Sequence, residues 1–106
     1  MPRPPNSSPQ TLRVLAALLA APDGWVHGYA LSQVTGLASG TLYPILRRLA
    51  AQGWLEGEWR PSPEHGRPPR QLHRLTQSGA REARATLLTY GEALAAPERR
   101  VLEGLL

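Results

Sequence analysis

The feature that most restricts the fold of this chain is a short amphipathic segment followed by a proline-stiffened basic loop. The apolar positions of the segment have the i, i+3, i+4, i+7 spacing of one helical face, and they are Leu42, Ile45, Leu46 and Leu49. Arg47 and Arg48 lie away from that face, and Gly53 is the expected left-handed stop. The pattern predicts a helix from about Ser39, its expected N-cap, to Gln52, with one buried and one basic face.

After this helix, residues 55–60 alternate in polarity, which is typical of a half-buried β-strand, and residues 70–75 are predicted to be its partner strand. The residues between them include four prolines, Pro61, Pro63, Pro68 and Pro69. Proline cannot donate a ladder hydrogen bond, so this part is predicted to be a loop. Trp25, Trp54 and Trp59 are predicted to be core and wing-packing residues.

Capping patterns predict three further helices. Ser8 followed by Pro9 is typical of an N-cap and a first helical position, and that helix should end near Ala21. A short helix should span residues 28–35, and Thr76 should cap a last helix with Gly79 in its first turn. The predicted fold is mostly α with a small β-hairpin wing: a winged helix-turn-helix plus a C-terminal dimerisation helix.

The length of 106 residues indicates one structural unit with three parts. Residues 1–8 are predicted to be a disordered tail, residues 9–79 the winged helix-turn-helix, and residues 80–106 the C-terminal helix. The net charge is +4, and all 12 basic residues are arginine, which favours a polyanionic partner. The absence of cysteine excludes disulfides, thiolate metal sites and cysteine nucleophiles.

The apolar run at residues 12–21 raises the alternative of a secretory signal. Arg13 interrupts the run, and several prolines crowd the segment before it. The run is also shorter than the roughly 20 residues that span a bilayer. We therefore expect a cytoplasmic protein with no membrane partner.

The chain resembles the PadR-like family of bacterial transcriptional regulators across residues 28–79. The motifs that carry the resemblance are Gly28-Tyr29, Ser39-Gly40-Thr41-Leu42-Tyr43-Pro44-Ile45-Leu46, Arg47-Arg48-Leu49, Gly53-Trp54-Leu55, Trp59, Gly66-Arg67-Pro68-Pro69-Arg70 and Leu75-Thr76-Gln77-Ser78-Gly79. The resemblance identifies residues 39–52 as the recognition helix and implies a short family member without a large C-terminal domain. His73 departs from the family, which usually has tyrosine there.

The basic helix face, the wing and the resemblance together predict a set of DNA-contacting residues. They are Ser39, Gly40, Thr41, Tyr43, Pro44, Arg47, Arg48, Arg67 and Arg70. The prolines and Gly66 hold the loop so that Arg67 can enter a narrow minor groove. The alternatives are a solvated face for the paired arginines, a core position for Tyr43 and a solvated loop charge for Arg67.

Two apolar surfaces predict a homodimer. In the last helix Ala80, Leu87, Leu94 and Val101 recur every seven residues, and the first helix is apolar on most sides. The predicted interface residues are Leu12, Leu15, Leu19, Leu87, Leu94, Val101 and Leu105.

The function predicted from the sequence is a DNA-binding transcriptional regulator, a repressor that binds a palindromic double-stranded operator as a homodimer. The three histidines are scattered and no catalytic triad or paired carboxylates appear, so we expect no enzyme activity, no metal and no cofactor. Two alternatives stay open: a winged-helix protein-interaction module, and a small-molecule sensor with its ligand at the dimer interface. The second alternative implies a small-molecule inducer as a further partner, of a kind that the sequence does not specify.

Overall fold

Four helices and a three-stranded antiparallel sheet make up residues 6–21 and 24–91, the part of the chain that this computed structural model describes. The helices are α1 (Pro9–Leu19), α2 (Gly28–Thr35), α3 (Ser39–Ala51) and α4 (Gln77–Tyr90). The strands are β1 (Val26–His27), β2 (Leu55–Arg60) and β3 (Arg70–Leu75). The predicted winged helix-turn-helix fold is confirmed.

Strand β3 is the centre of the sheet, whose order is β1-β3-β2. Strands β2 and β3 pair along their full length, from Leu55 opposite Leu75 to Arg60 opposite Arg70, with the bounds that the sequence predicts. Strand β1, which pairs Val26 with His73, was not predicted. Two residues are too few to show an alternating pattern.

Helix α1 supplies much of the hydrophobic core, because it packs against α2 and α4 and also contacts β3. Its buried apolar side chains are Leu12, Val14, Leu15, Ala16 and Leu18. The apolar character of α1 on several sides therefore reflects burial within its own chain.

This burial corrects part of the predicted dimer interface. Leu12, Leu15 and Leu87 have no exposed surface, so they serve the core of their own chain rather than a partner. Leu19 is partly buried against the same core. The remaining predicted interface residues, Leu94, Val101 and Leu105, lie outside the described residues.

The last residues of the predicted tail belong to the folded unit. Asn6 and Ser7 are buried. The Asn6 amide Nδ2 donates a hydrogen bond of 2.7 Å to Gln52 Oε1, just beyond α3. Asn6 has φ of 64°, a left-handed conformation that asparagine tolerates better than most residues. Residues 1–5 of the predicted tail lie outside the described part of the chain.

The helix starts differ in how they are capped. Ser8 Oγ accepts a hydrogen bond from the Thr11 amide at the start of α1, and Thr76 caps α4, as the sequence predicts. The N-caps of α2 and α3 are His27 and Ala38, and neither makes a side-chain capping bond. The prediction of Ser39 as an N-cap is therefore wrong by one residue, and Ser39 is the first residue of α3.

A backbone-to-backbone contact joins the end of α3 to the start of α4. Thr76 N donates to Trp54 O at 2.9 Å, and Thr76 Oγ1 donates to Gly53 O at 2.8 Å while accepting from Gly79 N at 2.9 Å. The first turn of α4 lies so close that a Cβ on Gly79 would be 1.9 Å from Trp54 O. Only glycine fits this position without moving the helix.

Among residues 6–21 and 24–91, no helix has the length and apolar character needed to cross a membrane.

We predict that Gly79→Ala lowers the free energy of unfolding by at least about 2 kcal/mol, because a backbone carbonyl cannot move aside as a side chain can. Gly40→Ala is the matched control, since Gly40 also lies in the first turn of a helix and a Cβ there would meet nothing within 4 Å. It should be neutral or stabilising by up to about 1 kcal/mol. Denaturant unfolding measures both, and equal midpoints for the two variants would contradict the prediction.

Candidate nucleic-acid interface

Helix α3 presents one buried and one exposed face, as its spacing predicts. Its buried residues are Leu42, Ile45, Leu46 and Leu49. All seven residues of α3 that the sequence analysis assigned to DNA contact are exposed: Ser39, Gly40, Thr41, Tyr43, Pro44, Arg47 and Arg48. The helix can therefore be approached from solvent along its polar side.

The two neighbouring arginines of α3 have different surroundings. Arg48 Nη2 donates to Thr11 Oγ1 at 2.8 Å, and its Nε donates to Asn6 Oδ1 at 3.3 Å. Arg47 makes no hydrogen bond or ion pair with the described residues and lines a depression between α3 and the wing. Consecutive helical residues point about 100° apart, which accounts for the difference. Arg48 holds the N-terminal segment, while Arg47 is available for a ligand.

Tyr43 connects α3 to the start of α2. A Cβ on Gly28 would be 2.3 Å from the Tyr43 hydroxyl oxygen and 3.0 Å from the ring carbon that bears it, so the ring lies directly on the Gly28 backbone. Tyr43 nevertheless keeps 37% of its surface exposed. Tyr43 is therefore neither fully a core residue nor fully a surface residue, because its ring packs against α2 while part of it faces solvent. Glycine at position 28 is what permits this approach.

The wing loop places Arg67 in solvent. Gly66 has φ of 81°, the left-handed turn that its position in the loop suggests. Arg67 Nε lies 3.1 Å from Glu64 Oε2, and both side chains are more than half exposed. An exposed pair of this kind contributes little to stability, so it can open readily to an incoming phosphate.

A groove runs between α3 and the sheet, and we call it the wing groove. It consists of two depressions, of about 420 and 300 Å³, that share Tyr43 and Gln71. The first also contains Arg70 and Trp59, and the second contains Arg47. The groove thus brings two predicted DNA-contacting arginines, on separate elements, to one surface.

The three tryptophans do not all pack as predicted. Trp25 lies under the guanidinium groups of Arg74 and Arg60, at 4.2 and 5.2 Å from the ring centroid. Trp54 packs partly buried against the core. Trp59 is 67% exposed, so its prediction as a packing residue is wrong. Alternation groups it with Leu55 and Gly57 on one face of β2, but only Leu55, at the start of the strand, is buried.

His73 lies in the middle of the sheet, opposite Gly57 on β2 and Val26 on β1. It is 5% exposed, and within residues 6–21 and 24–91 its Nε2 has no hydrogen-bond partner. Burial lowers the pKa of His73 below the ordinary value of 6.5, and repulsion from His27 lowers it further. The imidazole that replaces the usual family tyrosine is therefore kept neutral.

Sequence reasoning did not identify Gln71 or Trp59 as residues of this surface. Gln71 carries no charge, and Trp59 has the residue type of a core position. The signal that could have found them was the pairing of the two predicted strands, which places Gln71 directly opposite Trp59. Within residues 6–21 and 24–91, no group of three or more His, Asp or Glu side chains could hold a metal ion.

Known proteins with a similar sequence or a similar fold are transcriptional regulators. Residues 17–85 match the model of the transcriptional regulator PadR-like family. The fold is similar to a PadR-like transcription factor from Bacteroides fragilis, with a TM-score of 0.61 and 23% identity over 78% of this chain and 84% of that one.

Two further solved structures are similar. The PcaV transcriptional regulator from Streptomyces coelicolor has a TM-score of 0.65 and 30% identity over 95% of this chain and 74% of that one. Wild-type MarR from E. coli has a TM-score of 0.60 and 27% identity over 89% and 71% of the two chains. No curated protein matches the sequence significantly.

We predict that His73 makes stability depend on pH below about 6.5, the pKa of an ordinary histidine. Because the folded state lowers the pKa of His73, the unfolded chain takes up the proton first as pH falls. The free energy of unfolding should decrease below that pH and be unaffected by this group above it. His73→Leu should flatten the decrease, whereas exposed His65→Gln should leave it unchanged. Denaturant unfolding at several pH values provides the measurement, and parallel curves for wild type and His73→Leu would refute it.

Proposed function

Since this chain belongs to the PadR-like family of transcriptional regulators, we propose that it is a repressor that binds a palindromic operator as a homodimer. The observation that carries the proposal is the exposed polar face of α3, where Arg47 has no hydrogen-bond or ion-pair partner among the described residues and lines a groove that leads to the wing. A helix of this diameter fits the major groove of duplex DNA, where base edges can be distinguished. The proposed function is DNA binding and includes no catalytic step.

Helix α3 is the proposed recognition helix. Arg47 is in position to reach a guanine edge, and Ser39, Gly40, Thr41 and Pro44 form the exposed start of the helix that enters first. The partly exposed Tyr43 would meet the sugar-phosphate backbone. Arg48 contributes by fixing the N-terminal segment against α3, which differs from the direct DNA contact that the sequence suggests.

The wing supplies the second set of contacts. Arg67 would leave its ion pair with Glu64 and enter a narrow minor groove, where the negative potential attracts its guanidinium group. Arg70, half-buried at the base of the wing, would contact a phosphate. Arginines on two elements thus face the duplex from different directions.

A homodimer would give the operator its palindromic form. In a two-fold dimer the recognition helices enter successive major grooves about 34 Å apart, so each half-site is read by one protomer. On the described part of α4, Leu88 is a large apolar residue that is 62% exposed and thus available to a partner. We propose an interface that combines Leu88 and Leu19 with Leu94, Val101 and Leu105 beyond the described residues.

A second candidate function is control of DNA binding by a small molecule. The observation that favours it is the PcaV regulator from S. coelicolor, solved in complex with its natural ligand and 32% identical over 92% of this chain. A ligand that releases operator DNA would establish this function as an addition to the first one.

Selection of bound sequences from a random duplex pool, followed by affinity measurements at several salt concentrations, tests the proposal. The logarithm of the binding constant should fall linearly with the logarithm of salt, by about 0.9 for each phosphate contacted. Selection should yield two inverted half-sites. Failure to bind any duplex, together with salt-insensitive capture of another protein, would support a protein-interaction module instead.

We predict that Arg47→Ala costs about 1–3 kcal/mol of binding free energy and relaxes the preference at one base position per half-site. Its stability should change little, because no hydrogen bond or ion pair with the described residues is lost. Arg48→Ala is the neighbouring control and should lower the free energy of unfolding by about 1 kcal/mol, since Asn6 and Thr11 lose a partner. A loss of affinity for Arg47→Ala that is equal across operator variants would place Arg47 on a phosphate.

We predict that Leu88→Glu separates the dimer and weakens binding to a two-half-site operator by about 100-fold or more, because two linked half-sites are no longer engaged together. Val34→Glu is the control, since Val34 is 70% exposed on α2, outside the proposed interface. Sedimentation gives the oligomeric state. A wild type that is monomeric at micromolar concentration, yet binds this operator tightly, would exclude the homodimer.

A further inference from the structure

Trp59 is an exposed tryptophan that neither the core nor the proposed recognition contacts account for. It is 67% exposed at the outer end of β2. Side chains alternate along a strand, so Trp59 shares the face of Leu55 and Gly57. Leu55 lines the depression beside α3 together with Leu46, which shows that this face looks towards α3. The indole therefore borders the wing groove.

Gly57 lies two residues before Trp59 on the same face of β2 and lines the neighbouring depression of the wing groove. A Cβ at this position would be 3.3 Å from Gln71 Nε2, a tight contact, and 3.6 Å from Leu72 O, an ordinary one. The Gln71 side chain therefore packs close to the Gly57 backbone, and no side chain of β2 stands between the indole and Leu55 on this face.

The charges around Trp59 indicate what occupies this part of the groove. The depression that contains Trp59 is lined by the polar residues Arg70, His27, Gln71 and Tyr43, and no carboxylate among the described residues contributes to it. Glu56 lines only the second depression, which also contains Arg47. The chain as a whole carries a net charge of +4. The Trp59 indole and the Arg70 guanidinium line the same depression. This pair fits a ligand in which apolar and anionic groups alternate, as deoxyribose and phosphate do along a DNA strand.

We propose that one strand of the duplex lies in the wing groove, with the Trp59 indole packed on a deoxyribose and Arg70 on the adjacent phosphate. This inference rests on the proposed function and adds a positioning residue to it. Deoxyribose is present at every nucleotide, so the contact carries no sequence preference. It fixes the distance between the wing and α3 on the duplex, and hence the register in which Arg47 meets the bases.

The proposal predicts a specific salt signature. Neutralising a phosphate releases counterions, whereas packing an indole on a sugar releases none. Trp59→Ala should therefore weaken binding about tenfold at every salt concentration without changing the slope against salt. Arg70→Ala should both weaken binding and reduce that slope by about 0.9.

The experiment measures binding of the full chain to the selected operator and to an unrelated duplex over a range of salt concentrations. Trp59→Ala should lose affinity for both duplexes by the same factor. Val34→Ala, which removes a side chain of equal exposure outside the groove, is the matched control and should bind as the wild type does. Unfolding midpoints of the variants should equal that of the wild type, because both side chains are exposed.

Tryptophan fluorescence provides a second measurement that does not depend on the alanine variant. Iodide should quench the free wild type more than Trp59→Phe, and operator binding should remove that difference by covering the indole. Trp25 and Trp54 are present in both proteins and cancel in the comparison.

Several outcomes would overturn the inference. Unchanged affinity of Trp59→Ala, or an indole that iodide still reaches in the complex, would show that no sugar covers it. A loss confined to one base position would make Trp59 a base contact, and a change in oligomeric state would make it an interface between copies. If the wild type binds no duplex at all, the proposed function fails and this inference fails with it; if it binds and Trp59→Ala binds equally well, only the inference fails.

Discussion

The close contact between the Trp54 backbone and the first turn of α4 is the constraint on which the rest of the structure depends. The two backbones approach because Gly79 has no side chain, and Thr76 ties them with bonds to Gly53 and Trp54. The same contact fixes the base of the wing, where β2 starts at Leu55 and β3 ends at Leu75 opposite it. The orientation of the wing relative to α3 is thus determined by main-chain atoms, which vary less between sequences than side chains do.

Helix α3 is held on two further sides by its own residues. Tyr43 rests on the Gly28 backbone at the start of α2, and Arg48 binds Asn6 and Thr11 at the start of α1. These contacts come from residues that flank Arg47 on the exposed side of the helix. Residues that hold the helix and residues available to DNA therefore alternate along it, so the face can be changed at one position without releasing the helix.

The sequence predicts the fold better than the site. The bounds of β2, the helix spacing and the glycine stop of α3 depend on local rules, and Gly53 has the left-handed φ of 78° that those rules require. The roles of Arg48, Leu87 and Trp59 depend on which distant element lies opposite them. An arginine on a polar face, a leucine in a seven-residue repeat and a tryptophan in a strand each have two common environments, and only tertiary contacts distinguish them.

The uncapped starts of α2 and α3 have a thermodynamic consequence. The outer helices α1 and α4 have side-chain caps from Ser8 and Thr76, while the two helices of the helix-turn-helix have none. A capping side chain contributes about 1 kcal/mol to a helix, so the chain forgoes stability at these two ends. The amide hydrogens left without a side-chain acceptor coincide with the positive ends of the helix dipoles. The two helices of the helix-turn-helix are thus less stable on their own than capped helices would be, and an anion bound at their N-terminal ends, such as the DNA phosphate of the proposed function, would add to their order.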